Sequence, residues 1–251
     1  GGVDHSTNGV IRADHAAPYI KDCTIRHNTN NGIAASYADG LRLVGNTISD
    51  CMPKREFVSA NGFFGYGAGI YITDSSNVSL ISNLVTDNDA PANDAYLGAV
   101  YVRDCSNVSL ARNVIGNNDA TMLVSQDWPY PTIGFGGLYV RSCDGFVMTG
   151  DHITGNSMYG VYFSGDSHSL ILSNDSLDPT WVYDTYGIPA SGAFPGVAAY
   201  EVYNAMGFAS SFDSDGPNNV DARDLWWGTT DNSAIADGIY DYLDTTAKGI
   251  V

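Results

Sequence analysis

The sequence predicts an all-β protein made of stacked coils, a parallel β-helix. A pattern of about 22 residues recurs six times along the chain. Its two clearest copies are AGIYITDSSNVSLISNLVTDND at 68–89 and GAVYVRDCSNVSLARNVIGNND at 98–119. Within each copy, apolar residues alternate with polar ones in three short bursts separated by polar turns. This alternation is typical of strands and lacks the three- and four-residue spacing of a helix.

Each copy is expected to contribute three strands. In the copy at 68–89, the first strand contains Ile70 and Ile72, the second Val78 and Leu80, and the third Val85. Equivalent strands of successive copies pair at about 4.8 Å, so the coils enclose a core of Ile, Val and Leu. The first strands align on a column of small residues: Gly9, Gly32, Gly69, Ala99, Gly137 and Gly160.

A column of amide side chains is predicted between the second and third strands. It comprises Asn46, Asn83, Asn113, Asp151 and, with a slip of one residue, Asp175. Buried amides at such a turn hydrogen-bond each other and the backbone groups that turns leave unpaired. We therefore expect Asn83 and Asn113 to be buried and stacked.

With this column, over about residues 8–180, the chain resembles the right-handed parallel β-helix proteins, which include the pectate-lyase-like enzymes. The segment DLWWGTTD (224–231) is similar to the closing segment of extracellular bacterial and archaeal β-helix repeat proteins, with Leu225 where that family usually has Asn. The resemblance implies a right-handed coil over residues 1–231 and a C-terminal cap over 232–251, with a short helix expected at 232–244. A scaffold of this kind hosts many chemistries.

Composition restricts the partners. The net charge is −17, from 11 Lys and Arg against 28 Asp and Glu, which disfavours nucleic acid and anionic membranes. No stretch is apolar enough to insert into a membrane. The chain begins inside a coil, so we expect it to be part of a longer protein, and we separately expect a monomer. Few lysines, many Tyr and Asn, and the family resemblance predict an extracellular or cell-surface location.

The four cysteines have no metal-type spacing. Cys105 and Cys143 share a column of adjacent coils, within reach of a disulfide. Because side chains in one column point in parallel, we expect stacked free thiols.

Four insertions are predicted at one place in the coil, after the third strand and before the next first strand. They span 53–67, 90–97, 120–135 and 181–195 and carry many aromatics, among them Trp128 and Tyr130. Insertions that collect on one edge of a solenoid often mark a binding face.

The first strand beside these insertions presents two outward columns. One holds four tyrosines, Tyr71, Tyr101, Tyr139 and Tyr162, and the next holds Arg103 and Arg141. Aromatic rings and guanidinium groups suit sugar rings, which predicts a polysaccharide-binding groove. Tyrosine also stabilises sheets by stacking, so any single tyrosine fits a structural role about as well, while the whole face of insertions, tyrosines and arginines favours the groove.

Three aspartates are candidate catalytic carboxylates. Asp74 and Asp104 occupy one column, about 5 Å apart by strand spacing, as two glycosidase acids would be. Each also begins an Asp-x-Ser-Asn turn, which favours a turn role. Asp127 is a further candidate acid in the longest insertion.

The resemblance allows bound Ca²⁺ with Arg103 or Arg141 as base, but no matching acid cluster assigns a metal site. The sequence therefore leaves two hypotheses: a polysaccharide-binding protein, as a lyase or glycoside hydrolase if it is an enzyme, or a non-catalytic structural or adhesion module.

Overall fold

The computed structural model describes residues 9–52, 69–89, 99–118, 137–156, 160–161 and Asn232 with their side chains. It describes as backbone the strand residues 56–59, 62–64, 159–164, 170–173, 176–177, 200–204, 220–221 and 239–240. Of the described helices, none is long and apolar enough to span a membrane.

The described strands form three parallel sheets. The first contains β1 (Gly9–Asp14), β4 (Asn31–Ser36), β9 (Ile70–Thr73), β12 (Val100–Arg103), β15 (Leu138–Arg141), β18 (Tyr159–Ser164), β21 (Tyr200–Asn204) and β23 (Ile239–Tyr240). The second contains β2 (Tyr19–Lys21), β5 (Arg42–Val44), β10 (Ser76–Ile81), β13 (Ser106–Ala111), β16 (Asp144–Thr149), β19 (Leu170–Ser173) and β22 (Val220–Asp221). The third contains β3 (Thr24–Asn28), β6 (Thr47–Cys51), β11 (Leu84–Thr86), β14 (Val114–Gly116), β17 (His152–Thr154) and β20 (Ser176–Leu177).

The chain visits the three sheets in turn, and each strand pairs with its equivalent one coil later. In the first sheet Ile70 pairs with Val100, and Val100 pairs in turn with Leu138, which keeps the apolar positions above one another. These side chains are completely buried, together with Leu43 of the second sheet and Ile48 of the third. The predicted all-β parallel β-helix, with three short strands per coil, is confirmed.

Two details of the prediction are wrong. Gly9 pairs with Asn31 and not with Gly32, because the register follows the inward apolar residues, with Ile11 opposite Ile33. The helix expected over 232–244 does not include residues 239–240: Asn232 is helical, but β23 joins the first sheet beside β21. The predicted insertion at 53–67 contains an antiparallel pair, β7 (Glu56–Ser59) and β8 (Gly62–Phe64).

The predicted Asn ladder is confirmed for its described members. Asn83 and Asn113 are each 2% exposed. Asn83 Oδ1 accepts the backbone N–H and the Nδ2 of Asn46, at 3.0 and 2.9 Å, and Asn113 Oδ1 accepts the same pair from Asn83, both at 2.9 Å. Asp151 continues the series by accepting from Asn113. Asp175 lies outside the described residues.

A second ladder was not predicted. Asn88, Asn118 and Asn156 are buried after the third strand of successive coils. Each Oδ1 accepts from the preceding coil, and Cys51 N–H donates to the first of them at 3.1 Å. The two ladders join the coils at both ends of the third sheet.

Candidate functional site

The predicted insertions share one corner of the stacked coils. The chain leaves the third sheet after β6, β11, β14 and β20, and returns to the first sheet at β9, β12, β15 and β21. By contrast, β17 and β18 are joined at the same corner by a short connection. The side chains of Trp128, Tyr130 and Asp127, predicted to contact or act on a substrate, lie outside the described residues.

The tyrosine column is longer than the sequence predicted. In the first sheet Tyr71, Tyr101, Tyr139 and Tyr162 pair in register, as predicted, and the series continues through Tyr203 and Tyr240. The insertion at 181–195 interrupts the repeat count and conceals the last two members. The column therefore extends over six coils.

The expectation that this column is exposed is wrong for the three tyrosines whose side chains are described. Tyr71, Tyr101 and Tyr139 are 5%, 0% and 1% exposed. The rings of Tyr71 and Tyr101 stack with centroids 5.4 Å apart, and Tyr139 meets Tyr101 edge-on at 4.9 Å. Desolvation raises the pKa of the Tyr101 phenol, so it stays neutral. These rings stabilise the sheet by cross-coil contact.

The two arginines are in register and half-buried. Arg103 Nε donates to the Asp104 carboxylate at 2.6 Å, and the two side chains are 38% and 37% exposed. Burial opposes the charged guanidinium, but the Asp104 carboxylate outweighs it and raises the pKa of Arg103. Arg103 and Arg141 therefore form a cationic margin beside the buried tyrosines, and Asp104 already engages Arg103.

The two acids predicted as a carboxylate pair are turn residues. Asp74 and Asp104 have φ of 49° and 51°, in the left-handed region that Asp tolerates well. Their backbone N–H groups donate to the carbonyls of Arg103 and Arg141 in the next coil, at 3.1 and 2.9 Å. Both side chains are exposed, and no three His, Cys, Asp or Glu within the described ranges form a group able to hold a metal.

All four cysteines are free thiols, as expected for Cys105 and Cys143. The hydrogen bond between the Cys105 and Cys143 thiols and the burial of the pair raise the pKa of Cys105. These thiols are part of the core and not of a reactive site.

A family model described as "Right handed beta helix region" matches residues 3–177. The chain belongs to the right-handed β-helix family, and its coils are accordingly right-handed. No curated protein matches the chain in sequence.

Among solved structures, the chain is similar to the catalytic domain of a GH87 alpha-1,3-glucanase in complex with tetrasaccharides. The TM-score is 0.29 and the identity 8%, over 95% of this chain and 51% of that one. The chain thus spans about half the length of that domain. At this level the similarity does not bear on activity.

Proposed function

We propose that the protein is an extracellular β-helix that binds polysaccharide on the side of the first sheet where the insertions collect. The observation that carries the proposal is the position of those insertions. All of them leave the third sheet and return to the first, so their two ends lie at one corner of the solenoid. A regular repeat tolerates long insertions at one corner of successive coils when that corner carries function.

The chemistry of this face supports a sugar ligand. Arg103 and Arg141 lie along its margin in adjacent coils, and planar guanidinium groups form paired hydrogen bonds with hydroxyls and carboxylates. The buried tyrosines support the sheet below. Aromatic residues of the insertions would therefore stack on the sugar rings, and Trp128 and Tyr130 are the leading candidates.

Degradation of the polysaccharide is a separate proposal. Asp74 and Asp104 are accounted for by turn geometry and, for Asp104, by Arg103. Asp127 remains the candidate acid, as general acid or base of a hydrolase or as a Ca²⁺ ligand of a lyase. Release of reducing ends or of unsaturated uronate, with and without EDTA, tests both, and Asp127→Asn is expected to remove turnover but keep binding.

Binding is tested by shortening one insertion. The next coil crosses the same corner with Ser157-Met158-Tyr159, so residues 119–136 are replaced by this tripeptide, which the fold already accepts. We expect glycan binding, measured on an array and by quenching of tryptophan fluorescence, to fall at least tenfold. A matched control is Leu84→Thr on the third sheet, where the preceding coil holds Thr47. Unchanged binding by a folded shortened variant contradicts the proposed face.

A second candidate function is a structural or adhesion module of a larger protein. The burial of Tyr71, Tyr101 and Tyr139 favours it, because the predicted aromatic platform is part of the packing. Two continuous Asn ladders also make the coil a stiff spacer. This function predicts no affinity for any plant, algal or bacterial glycan and a melting temperature unaffected by oligosaccharide.

A further inference from the structure

The corner between the first and second sheets carries a column of turn residues with left-handed backbone. His15, Tyr37, Asp74, Asp104 and Ser142 follow the first-sheet strands of successive coils, with φ of 52°, 51°, 49°, 51° and 49°. Each of the first four donates its N–H to a carbonyl of the next coil, at 2.9–3.2 Å. The turn is therefore the same in each coil, while the side chain differs.

Tyr37 has the bulkiest side chain in this column. Left-handed backbone suits Asp, Asn or Gly, and the following coils place Asp74 and Asp104 there, whereas a bulky aromatic residue at positive φ is rare. The fold does not need the ring, because Tyr37 is 52% exposed. A residue that departs from local preference without serving the core is a candidate for function.

The Tyr37 ring is held in a defined orientation. His15 stacks on it with centroids 4.7 Å apart and planes 24° apart. Asp14 fixes the imidazole through a 2.7 Å contact with Nδ1 and also pairs with Arg12 at 3.4 Å. His15 and Asp14 are 74% and 45% exposed, so the network is ordered but open to solvent.

A second exposed pair, a cation–π contact, lies at the other end of the same turn. Tyr19 begins the second-sheet strand of the first coil and is 56% exposed. The Arg42 guanidinium of the next coil lies over its ring at 5.0 Å. Arg42 is exposed, and no carboxylate in the described part of the chain forms an ion pair with it. Its N–H groups are available to a ligand.

The residues between the two pairs have small side chains. Ala16 and Ala17 are exposed, and Ala17 faces Gly40 of the next coil. Three residues, Ala16, Ala17 and Pro18, lie between His15 and Tyr19, so the Cα atoms of His15 and Tyr19 are no more than about 14 Å apart. The first two coils do not share the negative charge of the chain. Residues 9–52 contain four Lys and Arg and four Asp, so their net charge is zero, whereas that of the whole chain is −17.

We propose that this corner, formed by His15, Tyr19, Tyr37 and Arg42, is a second binding site for an oligosaccharide of pyranose rings. The His15–Tyr37 stack and the Tyr19–Arg42 cation–π pair flank the small residues Ala16 and Ala17, so that sugar rings stack on the aromatic rings and sugar hydroxyls bond to Arg42 and Asp14. A sugar carboxylate adds a paired bond to Arg42. The site shares with the proposed function only its ligand class and lies at a different corner of the coil.

The test uses substitutions that other coils already hold. Tyr37→Asp copies Asp74, and Tyr19→Ser copies Ser79, which occupies the same column two coils on. Binding of the full chain to cellohexaose and hexamannuronate, the two probes, is measured by calorimetry after an array screen. We expect the double variant to lose at least tenfold in affinity at this site with an unchanged melting temperature, and Arg42→Lys to weaken hexamannuronate more than cellohexaose.

The outcomes separate the two sites. Affinity unchanged in the double variant but lost when 119–136 are shortened overturns this proposal and leaves the proposed function standing. The reverse result supports this corner and refutes the insertion-flanked face. No binding of the unaltered protein to any array glycan overturns both. A concentration-dependent dimer in sedimentation velocity that disappears in the double variant makes the corner a protein interface and overturns the glycan assignment.

Discussion

Replacing Asn83 by Leu is expected to destabilise the coil by about 2–2.5 kcal/mol. The side chain makes four hydrogen bonds in the ladder: it accepts from Asn46 N and Nδ2 and donates to Leu43 O and Asn113 Oδ1, all at 2.9–3.0 Å. At about 1 kcal/mol net for each bond, their loss costs about 4 kcal/mol. The leucine side chain, buried at a site that is 2% exposed, offsets about 1.5–2 kcal/mol of this.

The measurement is urea unfolding followed by far-UV circular dichroism, with the slope on urea compared between variants. The control is Asn77→Gly, at an exposed position with φ of 54° where Gly145 stands two coils on. We expect the control to stay within about 0.5 kcal/mol. A loss for Asn83→Leu no larger than that of the control, at an unchanged slope, would refute the view that the ladder bonds stabilise the coil.

Two further predictions concern close packing in the coil. Gly69→Ala is expected to lower stability by about 1–3 kcal/mol in the same urea assay, because an added Cβ would lie 2.8 Å from the Ala99 carbonyl oxygen; wild-type stability in this variant would contradict it. Iodoacetamide at pH 8 is expected to label the partly exposed Cys23 first and Cys105 only in denaturant. The reason is that the hydrogen bond of Cys105 with Cys143 and the burial of Cys105 raise the pKa of its thiol. Equal labelling rates of Cys23 and Cys105 in the native protein would contradict this.

The fold was predictable because every coil repeats the same inward apolar positions. A single copy does not distinguish a coil from an ordinary hairpin, but six copies in register leave one way to bury Ile, Val and Leu. The first ladder was predictable for the same reason. Asn88 was missed because it follows Asp87, and an Asp-Asn pair is typical of a turn. Its buried partner one coil later, Asn118, shows that the pair is a ladder rung.

The burial of the tyrosine column could not be predicted from the repeat. The period places Tyr71, Tyr101 and Tyr139 outward, and outward residues of a solenoid are exposed only when nothing outside the repeat covers them. Burial of outward side chains therefore depends on residues outside the repeat, which follow no period. Tyr203 and Tyr240 were missed because the insertion before them removes the phase on which counting relies.

Departures from the repeat distinguish structure from function more reliably than composition does. Tyrosine in the first-sheet column obeys local preference, stacks on its neighbours and is buried, so the sheet alone accounts for Tyr101. Tyr37 opposes local preference, is exposed, and stands where later coils use Asp. A stacked fold offers this comparison at every position, because neighbouring coils show what the backbone needs there. By this comparison, aromatic residues that pack as the repeat requires have a structural role. Aromatic residues that depart from the repeat against local backbone preference are the candidates for ligand contact.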